Sequence, residues 1–577
     1  MPSFLPVTLE ELKQKGIQQP DIVLVTGDAY IDSPYCGVAV VGRVLEDAGY
    51  SVAVIPQPDV QSPEDITSLG EPRLFWGITS GCVDSEVANY TALGKPRQQC
   101  DFTPGGKNSR RPDRACIAYS NLVRRHFKNT VPLVLGGLEA SLRRIAHYDW
   151  RTDRVRRSIL LDAKADILVY GMGEKAVLEI AHALDHSRGL DNIPGTCVAA
   201  KSSPENYLEL PSFESVKRDP QAFASMFKKF YLRAASGSSQ GMIQLHQDRY
   251  LVHHPPQPYT NSRELDHIHE LPFLDQAHPW CSRQGQIRAL ETIQESIVSH
   301  RGCFGGCSFC SIALHQGRST VSRSKASIVR EARRMAEKKE FSGVIKDVGG
   351  PTANMYGTGC KRLDRGKPCP DKECLGYEGI CPELRLAHKQ QKNLLDELER
   401  IPGVKRVYVS SGIRHDLILA DKTHGPGYLR QLIRRHIPGQ MKIAPEHSSE
   451  RVLRLMNKPS VSVTSEFARM YRELASKEGK NIYLSCYVIA AHPGSTRKDM
   501  QEFARFARSN LKFLPRQVQI FTPLPSTRST VMYHCGMDPF TGEKIFCEKT
   551  LKGKKRQKDI LTESQPPSGI RKPRSST

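Results

Sequence analysis

Residues 301–310 read Arg-Gly-Cys-Phe-Gly-Gly-Cys-Ser-Phe-Cys and place Cys303, Cys307 and Cys310 on one short loop. The glycines let this loop turn tightly, so three thiolates can reach one small inorganic core. A tetrahedral zinc ion needs a fourth ligand, and His315 is the nearest candidate. A cubane iron–sulfur cluster held by three cysteines instead leaves one iron open. The spacing therefore predicts a metal centre of one of these two kinds.

The loop directly follows the first of several strand-like segments that alternate with helical patterns. These segments are residues 295–299, 343–348, 406–410, 441–444, 482–489 and 518–521. Six such segments with amphipathic helices between them predict a parallel partial (β/α)6 barrel, which we place at residues 276–535. In a barrel of this kind the chemistry lies at the carboxyl ends of the strands, where the three cysteines stand.

The first 200 residues show the same alternation of short apolar runs and helical patterns. We expect a doubly wound, Rossmann-like α/β domain over residues 1–200. Residues 201–275 are polar and rich in proline, so we interpret them as a connector. Residues 536–577 form a short basic tail with almost no apolar periodicity, for which we expect disorder.

The composition sets limits on the class of protein. Hydrophobic residues make up 39% of the 577 residues, and no stretch approaches the roughly 20 apolar residues that a membrane-spanning helix needs. The first sixteen residues lack the apolar core of a signal peptide, so we expect a cytoplasmic protein with no membrane partner. Lysine and arginine exceed aspartate and glutamate by 83 − 61 = 22, which favours a polyanionic partner.

The cysteine triplet, with Phe309 just before Cys310, resembles the Cys-x3-Cys-x-aromatic-Cys motif of the radical S-adenosylmethionine superfamily. The resemblance implies a 4Fe-4S cluster on Cys303, Cys307 and Cys310 whose open iron binds S-adenosylmethionine. It further implies reductive cleavage of that cofactor to a 5′-deoxyadenosyl radical, which abstracts hydrogen from a substrate. A reductant such as flavodoxin or ferredoxin follows from the same chemistry.

Three further positions resemble cofactor-binding segments of the superfamily. Gly349 and Gly350 end the second strand-like segment, where glycines allow backbone carbonyls to approach the amino group of S-adenosylmethionine. Glu446 ends the fourth segment, where it could anchor the ribose or the carboxylate. Residues 491–496 and 521–527 resemble turns of the methylthiotransferase-like branch. We therefore predict Phe309, Gly349, Gly350 and Glu446 as cofactor-binding residues.

A second cysteine group, with the spacing Cys-x8-Cys-x4-Cys-x6-Cys, follows the second strand-like segment. Its members are Cys360, Cys369, Cys374 and Cys381. Four cysteines in 22 residues predict a further metal site, either structural zinc or an auxiliary iron–sulfur cluster, while a redox-active thiol pair is the third interpretation.

The whole pattern, including His-Pro-Pro-Gln-Pro at residues 254–258 preceded by His253, resembles the uncharacterised YgiQ family of radical S-adenosylmethionine proteins. The resemblance names no substrate. The N-terminal domain is also similar to cobalamin-binding domains, but residues 28–33 lack the histidine that usually binds cobalt, so we do not expect cobalamin. The methylthiotransferase-like turns and the positive charge suggest RNA or the ribosome as partner. The rival hypothesis is a non-catalytic zinc or iron–sulfur module that attaches to nucleic acid.

Overall fold

The N-terminal half is built on one nine-stranded sheet. The computed structural model describes residues 3–233, 240–367, 369 and 373–562. In spatial order the strands of this sheet are Leu208–Leu210, Met242–His246, Arg249–His253, Thr196–Ala200, Ile167–Val169, Leu133–Leu135, Phe75–Thr79, Ile22–Thr26 and Val52–Pro56. The last five in that order run parallel, and the Thr196–Ala200 strand pairs antiparallel with the Ile167–Val169 strand.

Both faces of the parallel strands are covered, as their sequences require. In the Ile22–Thr26 strand, Val23 and Val25 belong to one hydrophobic core, whereas Ile22 and Leu24 belong to another. A strand buried on both faces reads as a continuous apolar run rather than an alternating one. This explains why the sequence indicates these strands so directly, and it confirms an α/β fold.

Helices join and flank these strands. They are Leu9–Gln14, Gly37–Asp47, Glu64–Thr67, Ser85–Asn89, Ala115–His126, Gly137–Leu142, Ile159–Asp162, Glu174–Asp185, Phe213–Arg218, Pro220–Arg233, Ser262–Glu270, Pro279–Ser282 and Ala289–Ile293. The Glu174–Asp185 helix begins directly after the turn that ends the Ile167–Val169 strand, a position that matters for the cavity described below.

Residues 201–275 do not form the connector that we expect from the sequence. They contribute three strands to the edge of the large sheet, including the antiparallel hairpin of Met242–His246 and Arg249–His253. These strands are short, and polar residues stand beside the buried Met242, Ile243, Leu251 and Val252, so their apolar pattern is weak in the sequence. The α/β unit thus extends to about residue 253.

The second half contains six successive parallel segments in chain order. Ser296–Val298 pairs with Asp347–Gly349, Val344–Ile345 pairs with Arg406–Val407, and Gln440–Glu446, Tyr483–Ala490 and Gln517–Ile520 form one three-stranded sheet. A single parallel bridge between Ile413 and Ile443 joins the third segment to the fourth. Five of the six segments have both ends within two residues of the expected positions, and the third is shorter, Arg406–Val407 against the predicted 406–410.

Helices alternate with these segments, and most of them pack on one hydrophobic core. They are Ile312–His315, Lys325–Ala336, Lys361–Asp364, His388–Glu399, His415–Ala420, Gly425–Gln431, Glu450–Met456, Val461–Lys477, Arg497–Phe506, Arg528–Cys535 and Leu551–Thr562. The core includes Ile328, Ala332 and Leu395 from the two helices whose apolar faces the sequence shows most clearly.

Short strand pairs complete the fold. They are Ile31–Asp32 with Gln276–Ala277, His147–Asp149 with Arg154–Arg156, His300–Arg301 with Val321–Ser322, Gly359–Cys360 with Leu384–Arg385, and Leu375–Gly376 with Gly379–Ile380. No helix within the described ranges combines the length and the apolar character needed to cross a membrane.

The basic tail is ordered over part of its length, contrary to the expectation of disorder. The Leu551–Thr562 helix packs on the second half through the fully buried Leu561. Its Gln557 side chain accepts a hydrogen bond from the Ala491 backbone N–H at 3.0 Å and donates one to the Ser495 carbonyl at 3.0 Å. Lys554 is also buried and donates to the Tyr533 hydroxyl at 2.9 Å. Two of the three buried residues of this helix are polar, so its buried face does not stand out in the sequence. Residues 563–577 lie outside the described residues.

Candidate active site

The cysteine loop begins where the first parallel segment ends, as the sequence predicts. Gly302 has φ of +79°, and a Cβ at that position would collide with the Ser319 carbonyl. A Cβ on Gly305 would lie 2.9 Å from Nη1 of Arg414 and 3.3 Å from Sγ of Cys303. Glycine at these two positions therefore allows the loop to bring its cysteines and an arginine together.

The three cysteines lie in one electrostatic neighbourhood. Burial, together with the adjacent thiols of Cys307 and Cys303, raises the pKa of Cys310 to about 12. Burial also raises the pKa of Cys303, while Arg414 lowers it. Thiolates at these positions therefore need positive charge close to them, from the chain or from a metal centre.

Arg414 supplies such a charge. Its Nη1 lies 3.9 Å from Sγ of Cys307, and its Nε donates to Oδ1 of Asp416 at 3.0 Å. Asp416 keeps its charge because the guanidinium lowers its pKa to about 2 in spite of burial. The Asn354 side chain accepts a hydrogen bond from the Arg414 backbone N–H and donates one to the Arg414 carbonyl, both at 2.9 Å. Hydrogen bonds to its backbone therefore hold Arg414 in the position where it pairs with Asp416.

Lys458 is a second buried cation at this site. Only 6% of its surface is exposed, and its ammonium group lowers the pKa values of Cys310, Glu446 and Asp416. Sequence reasoning missed the role of both Arg414 and Lys458, because their loops are distant in the chain. The stretch from Gly412 to Asp416, at the end of the third segment, is the only signal that pointed toward Arg414.

Glu446 lies at the carboxyl end of the fourth segment, as predicted. The strand pairing shifts register between Ile443 and Glu446, and Glu446 has φ of +67°. Ala491, just after the fifth segment, has φ of +58°. Non-glycine residues held in this region store backbone strain, which is typical of functional sites. Burial raises the pKa of Glu446, and Lys458 opposes that rise.

The two predicted glycines lie at the end of the second segment. A Cβ on Gly350 would lie 2.6 Å from the His300 carbonyl oxygen, so only glycine fits against the first segment there. The Gly349 carbonyl accepts hydrogen bonds from the Ser299 N–H at 2.7 Å and the Ser299 hydroxyl at 3.0 Å. Gly349 therefore already uses its carbonyl to join two strands.

Phe309 packs against the protein core. It contacts the hydrophobic core of the N-terminal half, and its ring meets the ring of His492 edge-on, with centroids 6.1 Å apart. The Ser308 N–H donates to the Met456 carbonyl at 3.0 Å. These contacts hold the cysteine loop against the ends of the fourth and fifth segments.

The second cysteine group lies against the first. Burial, together with the charges of Cys381, Cys360 and Cys369, raises the pKa of Cys374 to about 12, so the other three thiols lie within electrostatic range of Cys374. The Gly306 N–H donates to the Leu375 carbonyl at 3.1 Å, which joins the two cysteine loops. Asn457 strengthens this link, because its amide donates to the Gly306 carbonyl at 3.0 Å and accepts from the Tyr377 N–H at 2.9 Å.

The three cysteines of the first loop do not converge on a single metal ion. Within the described part of the chain, no three histidine, cysteine, aspartate or glutamate side chains form a ready-made site for one metal ion. A cubane places each cysteine on a different iron, so its ligands surround a larger body than one ion. For the triplet, the thiol donors, the glycine loop and the two buried cations fit a cluster better than they fit zinc.

Family models match almost the whole chain up to residue 507. The radical SAM N-terminal model covers residues 4–296, and the radical SAM superfamily model covers residues 297–507. A UPF0313 protein of Fusobacterium nucleatum is 47% identical over 97% of this chain and 99% of its own length. This chain belongs to the UPF0313 family of the radical SAM superfamily. It is a radical SAM enzyme, and the rival hypothesis of a non-catalytic module is not supported.

Other members of the UPF0313 family are similarly close. The protein of Thermotoga maritima is 47% identical over 96% of this chain and 98% of its own length. That of Methanosarcina acetivorans is 44% identical over 97% of this chain and 78% of its own length. The predicted resemblance to an uncharacterised radical S-adenosylmethionine family is therefore confirmed.

A solved structure shares the fold across both halves. It is the radical S-adenosylmethionine methyltransferase TsrM from Kitasatospora setae, with cobalamin and a 4Fe-4S cluster bound. The match has a TM-score of 0.50 at 16% identity and covers 89% of this chain and 78% of that chain. The prediction against cobalamin is therefore wrong. It relied on one missing histidine, whereas the fold of this chain is shared with a protein that holds cobalamin.

Proposed function

We propose that Cys303, Cys307 and Cys310 hold a 4Fe-4S cluster whose open iron takes S-adenosylmethionine. The observation that carries this proposal is the cysteine loop at the end of the first parallel segment, next to the buried cations Arg414 and Lys458. When bound, the cluster and S-adenosylmethionine supply one-electron cleavage to a 5′-deoxyadenosyl radical that abstracts hydrogen from the substrate. The chain's own residues hold, orient and shield these groups.

The remaining predicted residues follow from the same arrangement. We assign residues 276–535 to a partial (β/α)6 barrel, with Gly349, Gly350, Phe309 and Glu446 on its cofactor side. Gly350 keeps the second segment close to the first, because no side chain fits against His300. Phe309 fixes the cysteine loop against the fifth segment. Buried Glu446 is a hydrogen-bond partner for the cofactor, held in a strained backbone.

The test is the Cys307→Ala variant, with Cys535→Ala as control because Cys535 lies outside both cysteine groups. After anaerobic reconstitution, Cys307→Ala should lose the cluster's absorption and the formation of 5′-deoxyadenosine from S-adenosylmethionine. Cys535→Ala should keep both. Cleavage of S-adenosylmethionine by Cys307→Ala at the wild-type rate would refute the assignment.

We further propose a second metal centre on Cys360, Cys369, Cys374 and Cys381. The support is the mutual proximity of the four thiols and their attachment to the first loop through Leu375. Zinc and an auxiliary iron–sulfur cluster both suit four thiolates. Metal analysis of the Cys303/Cys307/Cys310→Ala variant isolates this centre, and it should contain about one zinc per chain or several irons. No metal above the level in a Cys374→Ser variant would refute it.

The shared fold extends the proposal to cobalamin. In such α/β sheets ligands bind outside the carboxyl ends of the parallel strands, which here include the Ile22–Thr26 and Phe75–Thr79 strands. Residues 28–33 at that edge offer no histidine to cobalt, so the expected form is base-off. The test is incubation with hydroxocobalamin, followed by desalting and absorption spectroscopy. A retained base-off spectrum supports binding, and the loss of all cobalamin on desalting refutes it.

We propose two partners, one that carries the substrate and one that donates the electron. The net charge of +22 supports RNA or the ribosome as the substrate-bearing partner, and a low-potential donor such as flavodoxin or ferredoxin supplies the electron. We also propose that the protein acts in the cytoplasm. The test is a comparison of nucleoside and ribosomal-protein masses between wild-type and deletion strains. A mass change restored by the wild-type gene supports this substrate class, and identical profiles remove it.

A further inference from the structure

A cavity lies between the two halves of the molecule, beside the cysteine loop. It is partly open to solvent. One wall comes from residues that follow the Ile167–Val169 strand, a second from residues 256–260, and a third from residues 313–318. The cavity therefore brings together stretches that stand far apart in the sequence. None of the cysteines of the two groups lines it.

Arg144 is the most deeply buried cation of this cavity. Only 2% of its surface is exposed, and its guanidinium lies 4.6 Å from the ring centroids of both Tyr170 and Phe230. Its Nε donates to Nε2 of His253 at 3.0 Å. Burial lowers the pKa of Arg144, and no carboxylate in the described chain compensates its charge. A buried arginine with only neutral partners is costly, and an anionic ligand would offset that cost.

Arg318 is a second arginine in the cavity without a direct ion pair among the described residues. Its guanidinium stacks on the ring of Tyr231 at 3.7 Å, and its Nη2 is buried without a hydrogen-bond partner in the described structure. The same Tyr231 donates its hydroxyl hydrogen to a carboxylate oxygen of Glu373 at 2.6 Å. A planar guanidinium with unused N–H groups suits a carboxylate or a phosphate.

The other cations near the cavity are already paired, while the charge of Arg318 also acts on the Cys374 thiol of the second cysteine group, whose pKa it lowers. Arg301 is paired with Glu174, and Lys175 lies 3.0 Å from Glu264. The Glu174–Asp185 helix begins at the cavity, so its positive end adds to the field. Burial lowers the pKa of His315, which also lines the cavity, to about 4, so its imidazole is neutral at pH 7.

We propose that this cavity binds a small organic anion through Arg144 and Arg318, with a phosphate or a carboxylate as the group recognised. The apolar walls, which include Tyr170, Met172 and Leu314, suit a ligand that also has an apolar or aromatic portion. This site is separate from the proposed position of S-adenosylmethionine. Residues 313–318 line this cavity and follow the cysteine loop directly in the sequence. A ligand in the cavity would therefore contact the segment just after the last cysteine of the triplet.

The test is isothermal titration calorimetry of the reconstituted protein, without S-adenosylmethionine or reductant. The probes are inorganic pyrophosphate, adenosine 5′-diphosphate and citrate, which separate phosphate from carboxylate and show the contribution of an aromatic portion. Saturable binding of at least one probe is expected. Arg318→Gln should weaken it about tenfold or more, since hydrogen bonds to a charged group are lost.

The matched control is Arg151→Gln, because Arg151 stacks on Tyr90 at 3.6 Å outside the cavity. Its affinity for the probes should equal that of the wild type. Arg144→Lys, which keeps the charge but loses the planar group, should also weaken binding, and thermal unfolding checks that each variant is folded. The proposal is overturned if no probe binds the wild type, or if Arg318→Gln binds as tightly as Arg151→Gln.

Discussion

The Arg414–Asp416 pair should tune the reduction potential of the cluster, and its two members should act in opposite directions. Nη1 of Arg414 lies 3.9 Å from Sγ of Cys307, while Asp416 offsets the charge of that guanidinium. Reduction adds one negative charge to the cluster, and a nearby cation favours it. Arg414→Gln should therefore lower the potential, and Asp416→Asn should raise it.

The size of the shift follows from the distance. Two unit charges 3.9 Å apart interact by about 4 kcal/mol at an effective dielectric constant of about 20. The added electron is spread beyond the sulfur and Asp416 cancels part of the field, so we take about one third of that value. The resulting shift of about 1.4 kcal/mol corresponds to roughly 60 mV for one electron.

The assay is an anaerobic redox titration followed by electron paramagnetic resonance. It compares the wild type, both single variants and the double variant Arg414→Gln/Asp416→Asn, in which both charges are removed. The double variant should fall between the two single variants. Arg414→Gln leaves Asp416 buried and unpaired, which costs about 3 to 5 kcal/mol of stability, so thermal unfolding must accompany each titration. Shifts of the same sign in both single variants, with intact folds, would refute the reasoning.

Three further predictions concern the frame around the site. Gly350→Ala should abolish S-adenosylmethionine binding in equilibrium dialysis, because the new methyl group would lie 2.6 Å from the His300 carbonyl oxygen. Gly427→Ala is the control and should bind normally, because its methyl group would meet only the Lys392 ammonium at 3.6 Å. Burial lowers the pKa of His447 to about 4 in the folded protein. As the pH drops from about 6.5 towards 4, this imidazole is protonated in the unfolded chain before it is protonated in the folded one, so the free energy of unfolding falls. That loss should reach about 2 kcal/mol at pH 5 in urea unfolding, and it should shrink in His447→Gln. Leu561→Ala should destabilise the protein by about 2 to 5 kcal/mol in the same assay, and an unchanged midpoint would mean that the C-terminal helix does not contribute.

Much of the fold could be predicted because its signals are local. The Gly37–Asp47 helix has a regular apolar spacing, and the parallel strands read as buried apolar runs. The Leu208–Leu210 strand was missed because three residues carry no periodicity and depend on the sheet edge. The Leu551–Thr562 helix was missed because only Leu561 marks its buried face among apolar residues.

In the candidate site, too, residues close together in the sequence could be predicted and residues distant in the sequence could not. Cys303, Cys307 and Cys310 share one loop, so their spacing alone indicates a metal centre. Arg414 and Lys458 come from loops after the third and fourth segments, and only the folded chain places them beside the thiols. The prediction on cobalamin was wrong because it rested on one missing cobalt ligand, the histidine, and not on the fold of the whole domain.

The central claim is that S-adenosylmethionine binds the open iron of a cluster held by Cys303, Cys307 and Cys310. The most direct measurement is the electron paramagnetic resonance spectrum of the reduced protein with and without S-adenosylmethionine. A variant with alanine at Cys360, Cys369, Cys374 and Cys381 isolates the first cluster. A change in g-values on addition of the cofactor is the predicted result. An intact reduced cluster whose spectrum is unchanged by S-adenosylmethionine would contradict the account.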